Sequence, residues 1–173
     1  MNTAPLIPVE EYLRRTGKPN CEYIHGAIHA KRLSTTLQSW VQSILIFLLV
    51  KQSKIALPEL TVRIDSETYL IPDLAVVHSL QFPYPEGPAE LCIEILSPED
   101  RVGAMLAKCE KYHSWGVPVC WVIDPVRRVA WQYPSSGEPI RIDGSGKLEA
   151  GEVTIHLDDL FAGLNDATSV IPQ

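Results

Sequence analysis

Hydrophobic spacing along the chain changes period near Lys54, helical before it and extended after it. Leu37, Trp40, Val41, Ile44, Leu45 and Leu48 recur at helical intervals, and residues 44–50 are apolar on every side, so this segment is expected to be the most buried helix. Ser34, Thr35 or Thr36 can cap its start. Beyond Lys54, residues 55–57, 60–64, 70–77 and 90–96 are short apolar runs separated by proline and glycine, which predicts strands. Residues 82–88 hold three prolines and a glycine, a surface loop expected to border the functional site. Ser97-Pro98-Glu99-Asp100 offers a capping hydroxyl, a first-turn proline and two acids, so a second long helix is expected to start there. It places Val102, Met105, Leu106, Cys109 and Tyr112 on one face and stops at Gly116.

The remaining elements are shorter. Pro8, Glu10 and Glu11 favour a brief N-terminal helix ending before Gly17, and residues 22–28 read as two strand pieces around a turn at His25-Gly26. Residues 117–123 form a strand closed by Asp124-Pro125, with 129–133 as its hairpin partner, and 153–157 lead into a short helix at 158–161. Strands interleaved with one early and one late helix predict an α/β protein: a central mixed β-sheet flanked by α-helices, with residues 1–173 as a single domain.

Composition agrees with a folded chain, at 46% hydrophobic and 21% charged residues. Its longest purely apolar run, residues 44–50, falls short of the roughly 20 residues that span a bilayer, and no basic-then-apolar leader opens the chain. A soluble, cytoplasmic protein without a membrane partner is expected. Cys21, Cys92, Cys109 and Cys120 lack CxxC spacing and read as small hydrophobes, not a zinc cluster. The net charge of −6 opposes non-specific binding of polyanions, so any role on DNA requires a local basic patch and a metal.

Two acids alter this picture. Asp73 opens the apolar run Leu74-Ala75-Val76-Val77, and Glu94 interrupts Leu91-Cys92-Ile93 and Ile95-Leu96. A carboxylate in such a run is costly to bury unless it is paired, hydrogen-bonded or bound to a cation. Asp73 has a bland alternative as a turn or salt-bridge residue after Pro72; Glu94, inside a continuous apolar run, has less of one. On neighbouring strands the two would suit Mg²⁺ or Mn²⁺, with the Ile95 carbonyl as a third ligand and water completing the shell. The five histidines have no metal-ligand spacing, His78 being a modest outer candidate, and Asp124 reads as a turn residue.

Pro72-Asp73, Glu94-Ile95-Leu96-Ser97-Pro98 with Arg101, Lys108 and Tyr112, Gly116-Val117, and Trp121-Val122-Ile123-Asp124-Pro125 together resemble the Uma-type restriction endonucleases of the PD-(D/E)XK nuclease superfamily. Glu22-Tyr23-Ile24-His25-Gly26 and the closing Asp159-Leu160-Phe161 extend the resemblance over nearly the whole chain. It implies a restriction-endonuclease-like fold and a metal-dependent phosphodiesterase site, with Asp73 and Glu94 as metal ligands and Lys108 as the basic residue. Glu22 matches an N-terminal glutamate of the family and ranks below the other two acids. The superfamily's lysine two residues after the glutamate is Leu96 here, and Lys108 takes its role by the same resemblance. In helical projection Lys108 lies about 40° from Tyr112, so its stem can pack on the sheet while its ammonium reaches the strand ends. Where relatives carry a histidine, this chain has Thr36, Leu37 and Gln38, the last able to bind phosphate or water.

The expected function is therefore a Mg²⁺- or Mn²⁺-dependent endonuclease acting on DNA. Two alternatives are a nuclease-fold binding or dimerisation module with weak or no cleavage, and a hydrolase of a small phosphorylated ligand. A nuclease addressing two strands suggests a homodimer, to which residues 44–50 could contribute.

Overall fold

The computed structural model describes residues 6–15 and 20–164. It begins with helix α1 (Val9–Leu13), the hairpin β1 (Cys21–Ile24) and β2 (Ala27–Ala30), and the long helix α2 (Thr36–Lys51). Strands β3 (Ile55–Pro58), β4 (Val62–Asp65), β5 (Thr68–Leu70), β6 (Leu74–Val77) and β7 (Leu91–Ile95) follow. After helix α3 (Val102–Trp115) come β8 (Val119–Asp124), β9 (Val129–Pro134), β10 (Ile140–Ile142), β11 (Lys147–Ala150), β12 (Val153–His156) and helix α4 (Leu157–Phe161). Gly17, the expected stop of the first helix, lies outside the described residues.

A six-stranded sheet in the order β10-β9-β8-β7-β6-β3 forms the centre, and a four-stranded sheet, β2-β1-β5-β4, stands beside it. The central sheet is mixed, as expected: β7 and β8 run parallel because the chain crosses over through α3, and the other neighbours are antiparallel. Alternation along β7 divides the core. Leu91, Ile93 and Ile95 pack with Val41, Leu45 and Leu49 of α2 and with α4, whereas Cys92 and Leu96 pack with Cys109 and Tyr112 of α3. Glu94 shares the α3 face by the same alternation. Cys92, Cys109 and Cys120 are buried free thiols on that face, and burial pushes the Cys92 thiol well up, in keeping with structural cysteines.

Four local expectations change. The run 70–77 is not one strand: Leu70 ends β5 in the small sheet, Leu74 begins β6 in the central one, and Ile71-Pro72-Asp73 is the crossing between them. Pro72 has no N–H to offer a ladder, so the chain changes sheets there, leaving the polar groups of Ile71 for side chains to satisfy. Helix α3 starts at Val102, not at Ser97. Ser97 N donates to Asp100 Oδ2 at 2.8 Å and Asp100 N to Ser97 O at 3.0 Å, a closed turn that forms before the helix begins, and the Ser97 hydroxyl, the expected cap, is buried without a hydrogen-bond partner among the described residues. Gly116 ends α3 as expected, at φ 110°, a left-handed conformation that favours glycine.

Helix α2 is capped by a reciprocal Thr35–Gln38 box, but it is less buried than expected. It lies on one face of the sheet, so only Val41, Leu45 and Leu49 are buried, while Trp40, Phe47 and Val50 are 45%, 59% and 57% exposed. The proline-rich loop joins the ends of β6 and β7 remote from the acids: Glu90 N donates to Val76 O, and no residue of the loop lines the cavity described below. Among the described residues no helix is long and apolar enough to cross a membrane.

Candidate active site

Asp73 and Glu94 come together because of strand register. β6 and β7 pair antiparallel with Leu74 opposite Ile93, and one step outward along both chains sets Asp73 against Glu94. Both acids line one cavity of about 210 Å³ together with Glu22, Lys31, Gln38, Ile95 and Lys108. Arg32 and Asp100 stand at the same cavity, joined across 3.7 Å.

Glu94 is 3% exposed, and its Oε1 accepts from two groups one turn apart on α3: Lys108 Nζ at 2.7 Å and Tyr112 Oη at 2.6 Å. Burial pushes the Glu94 carboxyl up to about 7; Lys108 opposes that rise, the Asp73 carboxylate adds to it, and Lys31 opposes it more weakly. Lys108 also bonds Glu22 Oε1 at 2.8 Å and the Ile71 carbonyl at 3.3 Å. Burial would strip its proton, but Glu94 and Glu22 overcome this and raise its pKa, so the ammonium stays charged. Glu22 in turn accepts from Ile71 N at 2.8 Å. The sheet crossing at Ile71 is thereby built into the site through both of its backbone polar groups.

Asp73 is held from the opposite side. Its Oδ2 accepts from Ile95 N at 2.7 Å and its Oδ1 from Lys31 Nζ at 2.8 Å, while its backbone carbonyl accepts from the Gln42 amide. Lys31 Nζ also donates to the Ile71 carbonyl at 3.0 Å and to Glu59 Oε1 at 3.2 Å. The Ile95 carbonyl accepts from Gln38 Nε2 at 2.9 Å and retains a second lone pair. Gln38 spends its Oε1 on the α2 cap, so its amide braces the strand end.

The structure brings Asp73, Glu94, Ile95, Lys108 and Glu22 together around this cavity. Leu96 is buried in the apolar cluster under α3, where it offers no charge. His78 lies at the far end of β6 and pairs with Glu90, and Asp124 closes its turn by accepting from Arg127 N at 2.9 Å. Lys31, Gln42 and Glu59 were not legible as site residues. Lys31 follows β2 and reaches Asp73 from 42 positions away, with no local spacing to mark it. Tyr112 was readable as a core aromatic, which it is, and its hydroxyl's use by Glu94 became visible only with the fold.

No group of three or more His, Cys, Asp or Glu residues that could hold a metal occurs among the described residues. Two carboxylates with a carbonyl beside them, in a cavity with room for water, are a donor set that Mg²⁺ or Mn²⁺ can use, since these ions bind through one or two protein carboxylates and keep several waters. A Glu94 carboxyl that burial holds up at about 7 fits a cation that would restore its charge.

A mixed sheet flanked by helices, with two acids at adjacent strand ends and a helix lysine upon them, defines the fold of a nuclease-like α/β protein. A solved structure from Anabaena variabilis ATCC 29413, described as a "putative nuclease belonging to DUF820", shares it with a TM-score of 0.76 at 24% identity, covering 91% of this chain and 99% of that one. A DrdV–DNA complex is a remoter likeness, with a TM-score of 0.44 at 16% identity over 76% of this chain and 11% of that one. The chain belongs to the Uma2 family, described as "Putative restriction endonuclease", whose model matches residues 9–168. No curated protein matches it.

Proposed function

We propose that this chain is a Mg²⁺- or Mn²⁺-dependent nuclease that hydrolyses phosphodiester bonds in DNA at the Asp73–Glu94 cavity. The observation that carries the reading is the Lys108 ammonium, 2.7 Å from Glu94 and 2.8 Å from Glu22, in a cavity that Asp73 also lines. This follows the PD-(D/E)XK plan with the lysine moved from strand position 96 to helix position 108. Asp73 and Glu94 would hold the ion, with the Ile95 carbonyl beside them. When bound, a divalent ion supplies Lewis acidity and a water of lowered pKa.

The chain's own residues do the rest. Tyr112 and Lys108 fix one oxygen of Glu94 at the cavity wall. Ile95 N fixes Asp73 in the same way. Lys108 places a permanent positive charge where charge develops on the phosphoryl oxygens, an electrostatic effect worth about a hundredfold to a thousandfold in rate. Lys31, Arg32 and Lys108 line the cavity beside the four acids Glu22, Asp73, Glu94 and Asp100, and each of these cations is paired with a carboxylate, so the positive charge that a polyanion needs here would have to come from the metal.

The Lys31–Asp73 contact favours a second reading, a nuclease-fold binding module whose acid is already neutralised. Plasmid nicking separates the two. The nuclease converts supercoiled DNA to open circles and then to linear DNA with Mn²⁺ and not with EDTA, and Asp73→Ala abolishes both conversions. An inert protein, or cleavage that survives Asp73→Ala, contradicts the proposal.

A homodimer belongs to the same proposal, because cutting two strands calls for two sites related by a two-fold axis. Trp40, Phe47 and Val50, the exposed apolar positions of α2, are its candidate face. Sedimentation equilibrium should give the mass of two chains for the unaltered protein and of one for Phe47→Lys; a single-chain mass for both contradicts it.

A further inference from the structure

Lys31 occupies the oxygen of Asp73 that a metal would need. Asp73 Oδ2 is committed to Ile95 N at 2.7 Å, and Oδ1, the remaining oxygen, carries the Lys31 ammonium at 2.8 Å. This ion pair is largely sheltered, with the Lys31 and Asp73 side chains 15% and 18% exposed. An ammonium and a divalent cation at the same oxygen repel one another, so they compete for it.

The other two donors of Lys31 are placed differently. They go to Glu59 at 3.2 Å and to the Ile71 carbonyl at 3.0 Å. Glu59 does not line the cavity, and its backbone N–H is anchored on the Asp73 carbonyl at 3.3 Å. These two oxygens therefore form a berth that does not use the Asp73 carboxylate. An ammonium released from Asp73 stays held at the cavity wall, still charged and near any bound phosphate.

We propose that Lys31 is a resident counter-cation of Asp73 that a divalent metal displaces on entering the site, with Glu59 and the Ile71 carbonyl retaining the displaced ammonium. The proposal rests on the metal-dependent reading above and deepens it. Lys31 is then a positioning residue: it keeps the acidic strand ends from repelling each other before loading, and it sets the metal affinity.

The test is Mn²⁺ titration by calorimetry on the unaltered chain, Lys31→Met and Lys31→Arg, each with and without Asp73→Ala. Removing the competitor should tighten Mn²⁺ binding about fivefold to tenfold, the scale of one partly sheltered ion pair. Lys31→Arg keeps the charge and should show no tightening, and Asp73→Ala should erase the gain. Mn²⁺ binding that Asp73→Ala abolishes but Lys31→Met leaves equal or weaker overturns the proposal while the metal site stands. Absence of Mn²⁺ binding in every protein overturns both.

Should Lys31→Met fail to fold, lysine ¹³Cε NMR on the unaltered chain gives the answer, with Lys31 assigned by the signal missing from Lys31→Arg. Mg²⁺ should shift that signal. A Lys31 signal unmoved at saturating Mg²⁺ overturns the proposal.

Discussion

Replacing Lys108 with methionine should lower Mn²⁺-dependent nicking at least about a hundredfold and cost about 3 kcal/mol of folding stability. Both effects come from one ammonium. Lys108 is the partner that Glu22 and Glu94 share on the α3 side, at 2.8 and 2.7 Å, and it also caps the Ile71 carbonyl. Methionine fills similar space but leaves two sheltered carboxylates facing each other without a cation. Glu94 can relieve part of that cost by taking up a proton, since burial already holds it near 7, and this keeps the expected loss at the low end for a broken buried pair. Urea denaturation reads the stability, and supercoiled plasmid reads the activity. A variant as stable and as active as the unaltered chain would remove Lys108 from the site.

Glu94 should make the metal-free protein less stable as pH rises. Its folded-state value of about 7 lies above the ordinary 4.5, so the folded protein binds this proton more tightly than the unfolded chain. The resulting stabilisation is fully present below about 4.5 and is lost as pH climbs through about 7. Glu94→Gln keeps acceptors for Lys108 and Tyr112 but does not titrate. The stability difference between the two proteins should therefore change by about 3 kcal/mol across that window, in favour of the variant at high pH. Denaturation in EDTA at a series of pH values measures it. A flat difference means that Glu94 is ionised throughout, with Lys108 outweighing its burial. In the nicking assay Glu94→Gln should be inactive.

The sequence disclosed the acids more readily than the groups that hold them. Asp73 and Glu94 stood out because a carboxylate in an apolar run needs a local reason, and Lys108 followed from the helix that Gly116 closes and from the family resemblance. Lys31 and Glu59 carried no such mark. Each is an ordinary charged residue beside a short strand, and it acquires a role only when the small sheet folds against the central one. The break at Pro72 was visible as a proline, yet its consequence, a change of sheet that frees Ile71 for Glu22, Lys31 and Lys108, depends on contacts far apart along the chain. Helical period located α2 correctly but overstated its burial, because an all-apolar segment does not say which side the sheet will cover. The turn at Ser97–Asp100 shows the same limit, since good capping residues served a closed turn before the helix.

The most direct measurement is a crystal structure of the unaltered chain soaked in Mn²⁺, with data collected at the manganese absorption edge. A metal-dependent nuclease site predicts one anomalous peak between the Asp73 and Glu94 carboxylates, with Lys108 still bonded to Glu94. Crystals that show no anomalous peak at these carboxylates at saturating Mn²⁺, or a peak elsewhere with the Lys31–Asp73 contact intact, would contradict it.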